Sequence, residues 1–292
     1  QTFTLADGRT MGYADIGNAS ARPVFFLHGT PSSRHEGLGL AKLAASKSVD
    51  VRVITPDRPG IGLSTPKPGR KLIEYPFDIL ELGTHLGIDT FSIIGGSGGA
   101  PSALACAFAL PPHQIRAVGI LAGMGQARRG AMAQLRWQNR LVLFLTARAP
   151  WLVGPLLDRT LVRYAKDPVK LASFMLKLVS FLPKEDQEII RQYPEGLKAL
   201  EDMFVAHLHQ GPQGFLDEAA TTYEEWGFDL GQIQFSGVKL WYGANDKATS
   251  AEIGRQLARG LPGAKLTVFE GQSHLGLMMD HGEEILRDFL DS

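Results

Sequence analysis

The chain has 292 residues, 44% hydrophobic and 21% charged, an ordinary globular composition with enough apolar material for a sizeable core. Lys plus Arg and Asp plus Glu both number 30, so the formal net charge is zero and no block of like charge offers a track for phosphates. Nucleic acid is therefore not an expected partner. One cysteine, Cys106, excludes an intramolecular disulfide and points to a cytoplasmic setting, although a disulfide-free secreted protein would look the same.

Thr2 to Leu5 and Met11 to Asp15 read as two strands joined through Asp7-Gly8, a hairpin signal. Val24 to Leu27 is a continuous apolar run, as in a strand buried on both faces, and it ends in His28-Gly29. A helix follows over Leu38 to Ser46, then a strand over Val51 to Ile54 that ends at Pro56-Asp57. Asp78 to Leu86 suits a helix. Phe91 to Ile94 is a strand, a glycine turn follows, and a helix runs to Leu110, with Cys106 as a small core residue inside it. Ala117 to Leu121 is the next strand. Apolar strands alternating with helices imply a mostly parallel, doubly wound α/β sheet.

From Met124 to about Phe235 the rhythm stops and helical patterns dominate, over Met132 to Leu145, Pro168 to Leu182, Glu185 to Gln192 and Leu197 to His207. The longest apolar region, Leu141 to Leu157, is broken by Arg148 and Pro150, so no membrane span is expected. The alternation resumes with a strand over Val238 to Tyr242, a helix over Ala251 to Arg259, a strand over Lys265 to Phe269 and a helix over Glu283 to Leu290. The simplest organisation is a core of residues 1–123 and 237–292 carrying a helical cap of residues 124–236, inserted after strand 6. No charged-then-apolar targeting segment is visible. Asn18-Ala19-Ser20 matches a glycosylation triplet, a pattern common by chance.

Residues 93–107 read IIGGSGGAPSALACA. Glycine loses more conformational freedom on folding than any other residue, so four of them around one serine need a reason. Gly95-Gly96-Ser97-Gly98-Gly99 fits G-x-S-x-G, in which a serine occupies a sharp turn between strand and helix, with small neighbours that let the two pack closely. The Gly98 amide can then face a developing oxyanion, and Pro101 is tolerated in the first helical turn. A dinucleotide loop is the rival, but no G-x-G-x-x-G/A register fits.

A serine hydroxyl needs a base, and the base an orienting acid. In this architecture they follow in the order Ser, Asp or Glu, His. After the strand Leu240-Trp241-Tyr242 comes Asp246; after Thr267-Val268-Phe269 comes His274. The loop after the preceding strand, Ala122 to Gly125, has no carboxylate. Ser97, Asp246 and His274 are the catalytic candidates. A backbone N–H from His28-Gly29-Thr30-Pro31 completes an oxyanion hole, with Thr30 chosen beside Gly98; His28 itself reads as structural.

The sequence resembles the α/β-hydrolase superfamily over nearly its full length. It is most similar to members with an HGTP loop, here His28 to Pro31, and a D-R-P-G-x-G-x-S turn, here Asp57 to Ser64. The later Gly211-Pro212 and Trp226 to Leu230 also look like that group. It departs in carrying Gly96 where relatives often have a larger side chain, which predicts a more open pocket floor.

The expected chemistry is acyl transfer through an acyl-enzyme, from an ester, lactone or thioester of a moderately bulky apolar small molecule. No metal or organic cofactor is required. His207 and His209 would point about 200° apart on a helix, which argues against a metal site. Cap aromatics should in part line the pocket, with Trp137, Trp151, Met203 and Trp226 as substrate-binding candidates. The oligomeric state stays open, a homodimer being one option. The rivals are a lyase or cofactor-free peroxidase on the same fold and a receptor-like binding protein. The G-G-S-W-G and HGGPG patterns of proline iminopeptidases differ from those here, and Ser97 argues against the aspartate-dependent epoxide hydrolases and haloalkane dehalogenases.

Overall fold

The computed structural model describes residues 1–126 and 137–291. Eight strands form one sheet: β1 (Thr2–Thr4), β2 (Thr10–Ile16), β3 (Arg22–Leu27), β4 (Val51–Pro56), β5 (Phe91–Gly96), β6 (Ile115–Leu121), β7 (Lys239–Gly243) and β8 (Lys265–Phe269). Their order is β1-β2-β4-β3-β5-β6-β7-β8. β1 and β2 pair antiparallel, as do β2 and β4, and every later pair is parallel. Every residue of β5 and of β7 is buried, which explains their continuous apolar runs. The Asp7-Gly8 turn places Gly8 at φ +85°, a conformation that Gly adopts without steric cost.

Helices cover both faces. On one side α1 (Gly37–Ser46) and α12 (Gly276–Leu290) meet the sheet through Leu40, Ala44, Leu286 and Phe289, against Val24, Val53 and Trp241. On the other, α2 (Tyr75–His85), α3 (Ala100–Ala109) and α11 (Ala251–Gly260) bury Ile79, Leu104 and Leu257 against Phe25, Ile93 and Leu240. In α3, residues 100 to 107 are all buried, and four of these eight are alanine. Small side chains let this helix lie close under β5.

The chain leaves β3 for β4 on one side and returns on the other side of β3 to form β5. Such a reversal opens a crevice outside the carboxyl ends of the two strands. The His28 loop and the Ser97 turn both start there.

Between β6 and β7 the described residues form only helices and loops: α4 (Trp137–Arg148), α5 (Pro150–Leu157), a π-helical stretch over Asp158–Val162, α6 (Arg163–Ala165), α7 (Pro168–Ser180), α8 (Lys184–Gln192), α9 (Pro194–His207) and α10 (Gln213–Tyr223). The start of the helix expected over 132–145 lies outside the described residues. These helices hold their own apolar cluster of Val162, Leu171, Met175, Phe204 and Leu208. Trp226, Phe228 and Ile233 instead join the main core, where Phe228 stacks on Phe108 at 4.7 Å. The apolar partition therefore changes between Leu208 and Trp226, upstream of β7. Leu141 to Leu157 is split between α4 and α5, and no single described helix is long and apolar enough to cross a membrane.

Candidate active site

Ser97 sits between β5 and α3 at φ +47°, a left-handed backbone rarely adopted by a residue with a side chain. The flanking glycines make this turn feasible. A Cβ on Gly95 would stand 2.7 Å from the Ala103 Cβ and 2.8 Å from the Gly99 carbonyl; one on Gly99 would run into the Leu27 carbonyl. Gly96 leaves no open floor, because a Cβ there would meet Phe26 Cζ at 3.2 Å and Glu36 Oε1 at 3.5 Å. The space expected to be empty is filled by an aromatic ring and a carboxylate from other elements.

The His28 loop lies directly against this turn. A Cβ on Gly98 would lie 3.1 Å from the Thr30 nitrogen, so these two backbone positions are neighbours. Among the described residues the Thr30 N–H has no backbone acceptor. The loop is fixed from several sides. The Gly29 N–H donates to Glu36 Oε2 at 2.8 Å. The Arg58 N–H donates to His28 Nε2 at 3.4 Å, which places the ring proton on Nδ1, where it meets the Gly29 carbonyl at 2.9 Å. Burial, with the Arg58 charge, holds the His28 pKa well below 6.5, so it stays neutral and structural.

Asp246 and His274 meet as expected from strands β7 and β8. His274 Nδ1 is 2.6 Å from Asp246 Oδ2. The other oxygen, Oδ1, accepts the backbone N–H groups of Ala248 at 2.7 Å and Thr249 at 2.9 Å, which orients the carboxylate. Thr249 Oγ1 lies 2.7 Å from the Ala122 carbonyl and 3.2 Å from His274 Nδ1, a contact from a residue that sequence reasoning passed over. Burial opposes charge on Asp246, but the hydrogen bond and charge of His274 and two backbone donors hold its pKa below 3.8. Burial likewise opposes the imidazolium. The Asp246 hydrogen bond and charge outweigh it, helped by Asp186 and Glu36, and the His274 pKa is raised above 6.5. Asp186, from α8, also accepts the Leu275 N–H at 3.0 Å and so holds the chain just after His274.

The D-R-P-G-x-G-x-S turn has a structural role for Asp57, Arg58, Gly60, Gly62 and Ser64. Asp57 accepts from the Arg34 N–H and guanidinium, both at 2.7 Å, and from the Leu63 N–H at 3.0 Å. Gly60 and Gly62 take φ +82° and +54°, and Ser64 Oγ closes the turn on the Asp57 carbonyl at 2.7 Å. Arg58 is the residue this turn delivers to the site. Its guanidinium pairs with Glu218 of α10 and reaches the carbonyls of His28 and Gly29, the latter at 2.8 Å. Glu218 Oε2 in turn accepts the Thr30 hydroxyl at 2.7 Å. Arg58 was legible as part of the turn, but Glu218 lies in a helix without a motif and was not anticipated. A second tie from the inserted helices is His207 Nδ1, which sits 2.8 Å from the Ser32 carbonyl.

The Arg58–Glu218 pair is almost fully buried, each side chain being 5% exposed. Burial opposes the Glu218 charge, yet Arg58 holds its pKa far below the carboxylate range. A buried pair adds little over an apolar substitute, but removing one partner leaves an unmatched buried charge. Glu218→Gln keeps the shape and strips the charge. It should cost about 3–5 kcal/mol and lower the melting temperature by roughly 10 °C. An unchanged thermal melt would show that the pair does not hold α10 to the His28 loop.

A small crevice, partly open to solvent, is lined by Thr30, Gly98, Arg70, Leu72, Tyr75 and Pro101. Ser97 and His274 are not in its lining; it runs beside the turn on the α3 side. The substrate-binding candidates lie elsewhere. Trp137 and Trp151 are 68% and 76% exposed on the inserted helices. Trp226 is in the main core, and Met203 packs its sulfur 3.2 Å from Ser32 Oγ. Among the described residues no group of three or more His, Cys, Asp or Glu side chains is placed to hold a metal ion.

The model of the alpha/beta hydrolase family matches residues 24–288. A 2-hydroxy-6-oxononadienedioate/2-hydroxy-6-oxononatrienedioate hydrolase from Pseudomonas putida is 26% identical over 96% of this chain and 90% of its own. A proline iminopeptidase from Xanthomonas citri is 31% identical, but over 47% of this chain and only 42% of its own length. Among solved structures, an enol-lactonase from Burkholderia xenovorans LB400 superposes with a TM-score of 0.67 at 18% identity, covering 100% of both chains. At that identity the likeness shows the fold.

Proposed function

We propose that this chain, which belongs to the alpha/beta hydrolase family, is a carboxylic ester hydrolase working through an acyl-enzyme on Ser97. The observation that carries this reading is the 2.6 Å His274–Asp246 contact, made beyond the carboxyl ends of the strands, where Ser97 also sits in its strained turn. With Nδ1–H donated to Asp246, His274 Nε2 is left with a lone pair to accept the Ser97 proton. Ser97 Oγ attacks the substrate carbonyl carbon. The oxygen that becomes negative is met by the Thr30 and Gly98 amides. His274 passes its proton to the leaving oxygen or sulfur, and the alcohol or thiol departs. Water then gives a proton to His274, attacks the acyl carbon and releases the acid, with the proton returning to Ser97.

The substrate in this reading is an ester, lactone or thioester of moderate bulk. Leu72, Tyr75 and Pro101 offer apolar contact next to the oxyanion position. The helices between β6 and β7 act as a lid, coupled to the oxyanion loop through Glu218 and His207. Fold neighbours named as an esterase from Thermogutta terrifontis and as an enol-lactonase are consistent with this chemistry.

Steady-state turnover of p-nitrophenyl esters from acetate to decanoate at pH 7.5 tests the reading. Hydrolysis with a chain-length optimum beyond acetate is expected. A folded protein that hydrolyses none of the series, or acetate alone, would contradict it.

A further inference from the structure

Two polar groups in the crevice beside Gly98 are buried without partners among the described residues. Tyr75 is only 4% exposed, yet its hydroxyl makes no hydrogen bond to a described residue. Arg70 is partly buried as a residue, but its Nε is shut off from water and also has no partner. Among the described residues the Arg70 guanidinium makes no hydrogen bond or ion pair. Both side chains line the same crevice as Thr30 and Gly98.

Unpaired buried donors are costly, and a cation more so. Burial lowers the Arg70 pKa, which expresses that cost, and raises that of Tyr75, which keeps its hydroxyl a donor. Nearby carboxylates do not resolve the deficit. Glu218 is taken by Arg58 and the Thr30 hydroxyl. Asp217 acts on Arg70 only at a distance, receives Gln213 on Oδ1, and leaves its own Oδ2 unpartnered. The crevice is thus lined by three cations, Arg58, Arg70 and Lys71, against one carboxylate, Glu218.

We propose that Arg70 and Tyr75 form a carboxylate-binding subsite, so that the preferred ester or lactone carries a carboxylate on the arm that enters this crevice. The Arg70 guanidinium and the Tyr75 phenol line one crevice and both are donors, as the two oxygens of a carboxylate require. A single negative charge is favoured over a phosphate dianion, because Arg58 is already matched and Glu218 repels further charge. The proposal rests on the ester-hydrolase reading for the place of the reacting carbonyl; the subsite itself stands on the unpartnered donors.

Two measurements separate the two ideas. In the first, hexanoate and hexanamide are titrated calorimetrically into the wild-type protein, Tyr75→Phe and Arg70→Leu. The acid should bind more tightly than the amide to the wild type, and Arg70→Leu should abolish the difference. Tyr75→Phe should reduce it, in a protein that loses only an unpartnered hydroxyl. In the second, kcat/KM is compared for mono-p-nitrophenyl esters of glutarate, adipate and pimelate and for neutral esters of equal length. The acid-to-neutral ratio should fall by about tenfold to a hundredfold in Arg70→Leu, the range for a charge-assisted hydrogen bond. Equal binding of acid and amide, or a ratio that neither variant moves, would overturn the subsite. Selective hexanoate binding in a protein that hydrolyses no ester would support the subsite and count against hydrolysis.

Discussion

Ser97→Ala is expected to lower kcat by about four to six orders of magnitude, the scale seen when a catalytic serine is removed from a triad that acts as a unit. The residual rate should still exceed the uncatalysed reaction, because the oxyanion amides and the binding crevice remain. The fold should tolerate the change. Alanine keeps the Cβ and is compatible with the same φ of +47°, and among the described residues the Ser97 hydroxyl makes no hydrogen bond that the change would remove. The melting temperature should therefore move little, in contrast to Glu218→Gln. Steady-state kinetics with a parallel thermal melt check both halves. A variant that is stable and retains more than a hundredth of the wild-type rate would place the nucleophile elsewhere.

Asp246→Asn should cost about 10⁴-fold in kcat. The amide can present an N–H to His274 Nδ1, which favours the tautomer with the proton on Nε2, where the base must be free. The pH profile carries a second signature. The proposed mechanism needs neutral His274, whose pKa is raised above 6.5 because the hydrogen bond and charge of Asp246 overcome burial. The acid limb of kcat/KM in the wild type should therefore have its midpoint above pH 6.5, since that limb reports the free enzyme. With the carboxylate gone, burial acts unopposed by Asp246, and the midpoint should move to lower pH in Asp246→Asn. A midpoint that stays in place would separate Asp246 from the titrating group.

The catalytic candidates were legible because each follows a strand whose burial gives it a strong apolar run. Phe91 to Ile94, Leu240 to Tyr242 and Thr267 to Phe269 are local signals, and Ser97, Asp246 and His274 come next in the chain. The glycine turn was legible for the same reason: only a close strand-helix approach explains Gly95 and Gly99 together. What was missed depends on long-range packing. Glu218 lies 188 residues from the Thr30 hydroxyl it accepts and 160 from Arg58. Nothing in the local pattern of α10 marks its glutamate as buried. Trp137 and Trp151 show the same limit from the other side, since large apolar residues suggest a pocket but composition does not say which way a helix face turns. Helix α12 begins at Gly276, earlier than expected, because Gly276 and Gly282 weaken the local helical signal. Both are nonetheless buried in the structure, where packing outweighs propensity. Gly96 predicted an open floor, and the space is closed by Phe26 and Glu36, residues 60 or more positions away in the chain.

The most direct test is covalent. The wild-type protein and Ser97→Ala would be treated with diethyl p-nitrophenyl phosphate and examined as intact proteins and as peptides by mass spectrometry. The account predicts one diethylphosphoryl group per wild-type chain, on the peptide that contains Ser97, with loss of esterase activity in proportion to labelling and no addition to Ser97→Ala. Labelling at another residue, or full activity in a protein already labelled at Ser97, would contradict it.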